Sequence, residues 1–563
     1  TLGIVTRLAV RLPRKPVHAK QIVACFSDIV SSAKAAQLAL LHHPAGIEIM
    51  DKSLLNVAME NEPSLREMLP QGHDNVLMIE FESDDLAEVQ QVTRLCMDEI
   101  NANNLAAELS IAVTPEEMGQ FWAVRKAAVP ILYLLKGNKK IVPLVEDAAI
   151  PTDKLVAYFN GLYKIFEKHQ ADFVIYGHIA KGLLHSRPLL NMKDPHDIKL
   201  LKLIADDLFV LVNGLSGTVS GEHGDGRIRS CYIPLQYSAI YEIFLHVKKL
   251  LDSTSLFNPE IITHNDPEQV MKNLRFGENY RAREPEDKLL IWENGMSGEI
   301  EKCHGCSKCT TVTAATRMCP MYKSSRDELS APKAKANILR ALISGKIEES
   351  AVYEKAFQAV IDRCINCGSC AKECPSHVNI PKLVLEARSQ YINRHGMSLE
   401  NRLVTHFESF GRYTRKLFPL INPVMKLKPM RKLAELVAGM SAERPFIKFS
   451  PRSLYDRFAP AIGNNGKKVL YFAGCYASYM RPEIGESTVR VLNHMGYQVL
   501  LPDQHCCGVP HVAKGTAEKA RAKIQDNLAE WGALIDEADY IVTSCYSCAF
   551  ALQKEWGYYM GGE

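Results

Sequence analysis

The sequence predicts an α+β protein of several domains, and three observations along the chain predict it. Through residues 1–265, apolar extended runs alternate with helical stretches. Between residues 303 and 375, eight cysteines lie among short helical stretches. From residue 466 onward, strands and helices alternate again, and cysteines follow each predicted strand. A chain of 563 residues has room for about three or four such domains.

Composition excludes several classes of protein. The formal net charge is +3, which argues against nucleic acid as the defining partner, and 47% hydrophobic residues provide ample core. No apolar run approaches the ~18 residues that span a bilayer, and no signal peptide opens the chain. Thirteen of the 16 cysteines fall in motifs. This pattern indicates cysteines that bind metal in a protein of a reducing compartment. We expect a cytoplasmic protein, soluble or peripheral on the inner face of the cytoplasmic membrane; the oligomeric state stays open.

Residues 1–265 are predicted to form two ferredoxin-like α+β halves. The opening run Thr1–Thr6 reads as a strand, and we expect residues 1–10 to be the end of an upstream domain. Strands are predicted at residues 22–26, 46–50, 76–81, 109–113, 141–145, 173–176, 184–189 and 218–222. Helices are predicted at residues 31–42, 84–100, 115–135, 154–168 and 196–211, and a polar linker at 267–286.

Two histidines lie on a predicted hairpin in this region. His178 ends a strand, His185 begins the next, and Gly182 lies in the turn, so both imidazoles are expected side by side. Glu222, in the later run Ser220-Gly-Glu-His-Gly, adds a carboxylate. Two histidines and one carboxylate bind a divalent metal and leave positions open for substrate. Hydrogen-bonded loop histidines would show the same spacing.

Glu222 and His223 are neighbours, and on a regular strand their side chains would face opposite ways. They can serve one site only if the backbone twists there. Gly221 and Gly224 allow such a twist, because glycine adopts backbone conformations that other residues avoid.

Residues 1 to about 265 resemble the C-terminal domain of FAD-linked 2-hydroxyacid oxidoreductases, the D-lactate and D-2-hydroxyglutarate dehydrogenase family. Thr1–Thr6 is similar to the end of that family's FAD-binding domain, so we expect most of the FAD site to lie outside this chain. The family's Gly-His…Leu-His, Gly-Glu-His-Gly and Leu-Asn-Pro segments match Gly177-His178…Leu184-His185, Gly221-Glu222-His223-Gly224 and Phe257-Asn258-Pro259.

The resemblance implies roles for individual residues. It implies a divalent metal, expected to be zinc, on His178, His185 and Glu222; His223 as the catalytic base; Arg125 on the substrate carboxylate; and Asn258 near the flavin.

The chain departs from the family at positions that affect substrate choice. Lys181 and Leu183 stand where the family has Asp and Asn, and Val145 replaces a lysine that binds a distal carboxylate. Without that ammonium, we expect D-lactate ahead of D-2-hydroxyglutarate. Arg187 or Lys181, beside the metal histidines, would supply a replacement cation for the dicarboxylate.

The central cysteines have the spacing of iron–sulfur ligands. The run from Cys364 to Pro375 is C-x2-C-x2-C-x3-C-P, typical of [4Fe–4S] clusters in bacterial ferredoxins, and the first group keeps C-x2-C-x2-C and C-P with a longer gap. Structural zinc is the alternative. Helices predicted at residues 333–344 and 353–362 suit an α-helical ferredoxin at residues 266–395.

In two-cluster ferredoxins the cysteine before proline ligates the other cluster. We therefore expect one cluster on Cys303, Cys306, Cys309 and Cys374, and a second on Cys364, Cys367, Cys370 and Cys319.

Residues 396–465 are predicted to be a basic linker. The stretch from Arg402 to Arg457 is rich in Arg and Lys among apolar residues and has few acids. A solvated linker is the favoured interpretation, and contact with a membrane surface or a quinone-site partner is the alternative.

Residues 466–563 are predicted to form an α/β unit. Strands at residues 469–472, 498–501 and 540–543 alternate with helices at 483–494 and 516–531. If the sheet is parallel, its carboxyl edge collects the thiols, where open α/β sheets bind ligands. The unit resembles the cysteine-rich CCG domain of heterodisulfide reductase and anaerobic glycerol-3-phosphate dehydrogenase subunits, which implies zinc or an iron–sulfur cluster on Cys475, Cys506, Cys507, Cys545 and Cys548.

The domain order resembles that of long fused bacterial D-lactate or D-2-hydroxyglutarate dehydrogenases, of which this chain is similar to an internal fragment. That resemblance implies FAD-dependent oxidation of a D-2-hydroxyacid, with electrons leaving through two clusters towards a quinone or other acceptor. The alternatives are a non-catalytic electron-transfer module and a subunit like those of heterodisulfide reductase or glycerol-3-phosphate dehydrogenase.

Overall fold

The computed structural model describes residues 3–61, 74–135, 137–263, 266–439, 441–444, 448–458 and 466–561. The chain divides into two compact units, Thr1–Tyr280 and Arg281–Glu563. The five predicted domains therefore fall within two units, the first ending in the predicted linker.

The first unit alternates strands and helices in its amino-terminal half. Aspartates begin several helices: Asp28 accepts a hydrogen bond from Ser31 N, and Asp194 precedes a proline at the first helical position. The elements up to residue 132 are β1 (His18–Phe26), α1 (Ile29–Leu40), β2 (Gly46–Asp51), α2 (Lys52–Asn61), β3 (Asn75–Ser83), α3 (Leu86–Ala102), β4 (Glu108–Ala112) and α4 (Pro115–Leu132). The rest are β5 (Lys140–Ile141), β6 (Ala148–Ala149), α5 (Leu155–Lys168), β7 (Phe173–His178), β8 (Leu183–Leu190), α6 (Pro195–Gly214), α7 (Gly226–Arg229), α8 (Ile233–Gln236) and α9 (Tyr241–Leu251).

One antiparallel sheet runs through this unit in the order β4-β1-β3-β2-β7-β8-β5, with β6 paired to β8. The first four strands have the order of a ferredoxin-like fold, as predicted, although helix α2 lies between β2 and β3. The second predicted half does not have this order, since β8 pairs with β7, β5 and β6. Strands β2 and β7 join this half to the β7–β8 hairpin, so the two predicted halves share one sheet. The main core lies between the sheet and helices α1, α3, α5 and α6.

Three predicted strands differ from the structure. Residues 3–6 have no regular structure and are exposed, and Thr1 and Leu2 lie outside the described residues. The strand predicted at 141–145 ends at Ile141, because Pro143 has no backbone N–H to continue the ladder. Residues 218–222 form only two isolated bridges, with Asp147 and Ala149, and otherwise a loop.

The second unit begins with a helical region around the central cysteines. Its core is formed by apolar residues of α10, α12, α13 and α15. The helices are α10 (Met296–Glu301), α11 (Pro320–Ser325), α12 (Pro332–Ile343), α13 (Lys355–Ile361), α14 (Ser369–Glu373) and α15 (Ile380–His395).

The predicted basic linker is helical within the described residues. Its helices are α16 (Leu399–Thr405), α17 (Phe407–Thr414), α18 (Phe418–Val424) and α19 (Lys428–Ala438). Among the described residues of the whole chain, no helix is both long enough and apolar enough to cross a bilayer.

The carboxyl-terminal part of the second unit is α/β, as predicted. Its three strands are parallel in the order β10-β9-β11, with helices between them. The elements are β9 (Lys468–Phe472), α20 (Pro482–His494), β10 (Gln498–Leu500), α21 (Val509–Ala513), α22 (Ala517–Trp531), α23 (Ala533–Glu537), β11 (Tyr540–Thr543), α24 (Tyr546–Phe550) and α25 (Trp556–Met560).

Candidate active and metal centres

The β7–β8 hairpin brings two predicted metal ligands together in the first unit. The His178 and His185 ring centroids lie 6.0 Å apart. Gly182 in the turn has φ +64°, and a Cβ there would lie 1.8 Å from the Ile150 carbonyl oxygen. Only glycine fits this turn, so the hairpin geometry depends on it.

Glu222 and His223 lie in a loop that is held by a buried carboxylate. Asp147 Oδ2 accepts hydrogen bonds from Glu222 N at 3.0 Å, His223 N at 2.7 Å and Ser220 Oγ at 2.8 Å. Gly224 has φ +77°. Because the loop curls around Asp147 instead of extending as a strand, both neighbouring side chains reach one site.

Three imidazoles converge on a single carboxylate oxygen. Glu222 Oε1 lies 3.7 Å from His178 Nε2, 3.4 Å from His185 Nε2 and 3.5 Å from His223 Nε2. The rings of His185 and His223 stack with centroids 5.0 Å apart. The structure thus brings together the three predicted metal ligands and the predicted base.

The opposite nitrogen of each ring faces a buried carboxylate. His178 Nδ1 lies 2.5 Å from Glu48 Oε1, while Glu146 contacts both His223 Nδ1 at 2.9 Å and His185 Nδ1 at 3.2 Å. This arrangement presents Nε2 to the site, as is usual for histidines that bind metals. The hydrogen bond with Glu48 raises the pKa of His178. Burial alone would raise the pKa of Glu146, but its contact with His185, the Arg187 charge and its hydrogen bond with His223 lower it to about 2.

These donors fit a divalent cation. Ligand atoms of Asp147, His185, Glu222 and His223 all lie within 4.8 Å of one another, and His178, a predicted ligand, is not in this group. Among the described residues, Asp147 Oδ1 is a buried oxygen without a hydrogen-bond partner. Nitrogen and carboxylate donors in this number suit zinc or a similar ion. His223 belongs to this group by geometry, so the structure leaves it two roles, ligand or base.

Glu48, Glu146 and Asp147 are site residues that the sequence analysis missed. Glu48 is a single carboxylate inside the apolar strand β2, and Glu146-Asp147 is an acidic pair inside an apolar run. Charges are rarely buried without partners, and that was the available signal.

Two arginines flank Tyr176 beside the histidines. The Arg125 and Arg187 guanidinium carbons lie 5.0 and 5.5 Å from the Tyr176 ring centroid. Arg125 Nε donates to Glu48 at 3.0 Å, and Arg187 Nε donates to Glu146 at 3.2 Å. The same two carboxylates that orient the histidines therefore position both predicted substrate cations.

Asn258, the predicted flavin contact, lies on an exposed turn with φ +45°. Buried Asp252 accepts hydrogen bonds from Phe257 N and Leu256 N, and Lys248 donates to Phe257 O. The turn is well anchored, but Asn258 is not part of the histidine group. FAD binding by Asn258 stays a prediction.

The two central cysteine loops share one backbone conformation. Left-handed residues precede and follow the middle cysteine in both: Gly305 and Ser307 around Cys306, and Asn366 and Gly368 around Cys367. Such turns point successive side chains inward, which lets three thiols face one cavity.

Two cavities separate the eight thiols into sets. One is lined by Cys303, Cys306, Cys309 and Cys374, and the other by Cys319, Cys364 and Cys367, with Cys370 reaching both. Glu373 accepts hydrogen bonds from Arg317 N and Met318 N, which brings the Cys319 loop next to Cys374. Five thiols line the first cavity and four line the second, enough to ligate a cluster at each. Burial raises the pKa of Cys309 to about 11, and a bound cation would favour its thiolate form.

The five remaining motif thiols lie beyond the carboxyl ends of β9, β10 and β11, as the parallel sheet predicted. Hydrogen bonds link Cys475 to Cys506, Cys506 to Cys507, Cys507 to Cys548, and Cys548 to Cys545. The bond from Cys548 and nearby backbone amides lower the pKa of Cys545 to about 6. A compact group of thiols, one of them readily ionised, fits a soft metal.

Comparison with known families identifies the domains. A model of the C-terminal domain of FAD-linked oxidases matches residues 15–262, a 4Fe-4S dicluster domain matches 299–378, and a cysteine-rich domain named CCG matches 469–553. The chain contains these three domains.

Curated relatives align with most of the chain. D-2-hydroxyglutarate dehydrogenase of Pantoea ananatis is 23% identical over 97% of this chain and 59% of its own length. The Escherichia coli K12 enzyme of that name is 24% identical over 98% of this chain and 60% of its own length. One subunit of the anaerobic glycerol-3-phosphate dehydrogenase from Escherichia coli K12 is 29% identical over 46% of this chain and 62% of its own length. The chain thus spans about 60% of the length of these relatives.

Proposed function

We propose that this chain forms the substrate site and electron-transfer path of an FAD-dependent D-2-hydroxyacid dehydrogenase. The reaction oxidises a D-2-hydroxyacid to the 2-oxoacid and passes electrons through two [4Fe–4S] clusters to a quinone or another acceptor. The proposal rests on one observation. Three imidazole Nε2 atoms converge on Glu222 Oε1, and the Nδ1 atom of each ring faces a buried carboxylate.

The residues of this site suit the removal of a hydroxyl proton. His178, His185 and Glu222 would hold a divalent metal, which would supply Lewis-acid activation of a hydroxyl, while bound FAD would supply hydride acceptance and the clusters one-electron transfer. His223 Nε2 takes the proton, and the ionised Glu146 beside its Nδ1 stabilises the ring once it is charged. Arg125 and Arg187 bind the substrate's carboxylate groups.

The substrate is proposed to be D-2-hydroxyglutarate or D-lactate. The expected preference for D-lactate rested on Val145, but Val145 is fully buried in the core, so its side chain says little about the site. Two guanidinium groups flank Tyr176 and provide one cation for each carboxylate of a dicarboxylate. Relatives named D-2-hydroxyglutarate dehydrogenase point the same way. We therefore place D-2-hydroxyglutarate first.

The test is steady-state turnover of the FAD-loaded holoprotein with an artificial electron acceptor. We expect D-2-hydroxyglutarate to exceed D-lactate in kcat/KM, and Arg187→Met to reduce this ratio more than Arg94→Met, a matched change at an exposed position of α3. A preference for D-lactate above about a hundredfold, ~2.7 kcal/mol of transition-state binding, would overturn the dicarboxylate assignment. No turnover of either enantiomer of any 2-hydroxyacid would overturn the reaction class.

A non-catalytic electron-transfer module is the second candidate. The observation that favours it is the similarity of part of this chain to a subunit of anaerobic glycerol-3-phosphate dehydrogenase. In that case the holoprotein would exchange electrons with a partner, and the acids would leave its flavin oxidised.

A further inference from the structure

Helices α18 and α19 carry an apolar surface edged by lysines, here called the α18–α19 face. Its apolar side chains follow helical spacing: Leu420 and Val424 lie on one side of α18, and Leu433, Leu436 and Val437 lie on one side of α19. Leu420 is 72% exposed and Leu436 is 84% exposed. Large aliphatic side chains at such exposure normally mark a binding surface when they are contiguous in a segment.

The opposite side of α18 is packed on the rest of the second unit. Phe418 is fully buried and stacks on Phe449 with ring centroids 4.4 Å apart. Phe407, Tyr479 and Met480 complete this aromatic cluster. Helix α18 is thus attached through its own core, and the exposed leucines are not an unpacked part of that core.

The charge of the face is complementary to an anionic surface. Residues 415–437 contain six basic residues and one acidic residue, Glu435. Lys416, Lys426, Lys428 and Lys432 are exposed between and beside the apolar positions. A second copy of the same face would bring like charges together, because a two-fold interface pairs a patch with itself.

We propose that the α18–α19 face binds the anionic surface of a lipid membrane. The apolar row enters the boundary between headgroups and acyl chains, and the lysines contact the phosphates. The proposal does not depend on the oxidation reaction, since a protein without catalytic activity would bind the same surface.

The experiment is cosedimentation of the cluster-loaded chain with vesicles. Vesicles of equal parts phosphatidylglycerol and phosphatidylcholine are compared with pure phosphatidylcholine, at low and high salt. We expect binding only to the anionic vesicles, weakened by salt.

The pair Lys428→Glu and Lys432→Glu is expected to reduce the partition coefficient at least tenfold, since each lysine near such a surface contributes about fivefold. The pair Leu420→Ser and Leu436→Ser tests the apolar contribution and is expected to reduce binding even at low salt.

The matched control is Lys346→Glu with Lys355→Glu, two exposed lysines of the helical cysteine region with the same change in charge. Cluster absorbance and circular dichroism of each variant report folding. Equal binding to both kinds of vesicle, no binding at low salt, or the same loss in the control pair would overturn the proposal. So would a dimer in sedimentation velocity that the Leu420→Ser and Leu436→Ser pair abolishes, because a second copy would then occupy the face.

Discussion

Glu146 is the single residue on which most of the candidate site depends. It contacts two imidazoles and lies within 3.9 Å of Arg229 Nη1 in addition to Arg187. We predict that Glu146→Gln lowers metal affinity by about 10- to 100-fold, the usual effect of losing a partner of a ligating histidine. Metal titration monitored by elemental analysis measures this, with Glu116→Gln on the exposed start of α4 as the control. Unchanged affinity would show that the histidines do not need this carboxylate.

Variants at His185 and His223 distinguish a metal ligand from the catalytic base. We predict that His185→Ala removes a stoichiometric zinc or similar ion and abolishes turnover while cluster iron is unchanged. His223→Asn is expected to abolish turnover and keep the ion. Elemental analysis of both variants, beside Cys545→Ser to account for metal at the CCG thiols, makes the comparison. Full zinc in His185→Ala would refute the site, and loss of zinc from His223→Asn would make His223 a ligand.

At the scale of elements, we predict that each of the two central cysteine groups provides one ligand to the cluster of the other group. The cavities place Cys374 with Cys303, and Cys319 with Cys364. We predict that Cys303→Ala with Cys374→Ala damages one cluster, whereas Cys303→Ala with Cys319→Ala damages both. Iron counts and EPR of the reduced protein report how many clusters remain. The reverse pattern, with both clusters lost from the first pair and one kept in the second, would establish local ligation.

Glu555 connects the second cysteine loop to the CCG part of the unit. Its Oε1 accepts a hydrogen bond from Asn366 Nδ2 at 3.2 Å. Among the described residues, Glu555 Oε2 and Asn366 Oδ1 are both buried without a partner. A protonated Glu555 would donate to Asn366 Oδ1 and satisfy both atoms. Burial raises its pKa to about 7, although the Asn366 hydrogen bond opposes the shift.

The raised pKa predicts a pH-dependent stability. The unfolded chain releases the Glu555 proton near pH 4.3, the usual glutamate pKa. The folded chain keeps this proton up to a pH of about 7. The stabilisation is therefore full below pH ~4.3 and is lost as the pH rises through the folded pKa. Glu555→Gln should raise the free energy of unfolding at pH 8 by about 3 kcal/mol and change it little at pH 4.

Denaturation followed by the fluorescence of buried Trp531 and Trp556 measures this effect, with Glu530→Gln on α22 as an exposed control. A difference in unfolding free energy between Glu555→Gln and the parent chain that is the same at both pH values would contradict the assignment.

Elements that depend on local pattern were predictable from the sequence. The β7–β8 hairpin, the parallel CCG sheet and the helices between its strands follow from periodicity, glycine and chain order. Interactions between distant segments were not. Glu48 lies 130 residues from His178, and Asp147 lies 75 residues from Glu222, so no local pattern pairs them. Helix α2 and the helices of the basic segment were also missed. Helix α2 packs on α4 and β7, and α17 and α18 pack through an aromatic cluster, and both are contacts between distant segments.

At the scale of the whole molecule, the proposed substrate site and the candidate cluster ligands lie in different units. The histidine site lies in the first unit, and all thirteen motif cysteines lie in the second. A variant in one unit is therefore expected to leave the metal content of the other unit unchanged. This division makes it possible to test oxidation and electron transfer separately in one protein.

The central claim is that the histidine site oxidises a D-2-hydroxyacid, and anaerobic mixing of the FAD-loaded holoprotein with D-2-hydroxyglutarate tests it most directly. We expect the D enantiomer, and not the L enantiomer, to bleach the flavin absorbance. We also expect His185→Ala to abolish the bleaching while dithionite still reduces its flavin and clusters. A wild-type flavin that dithionite bleaches, but that no D-2-hydroxyacid bleaches, would contradict the claim and support the non-catalytic electron-transfer module.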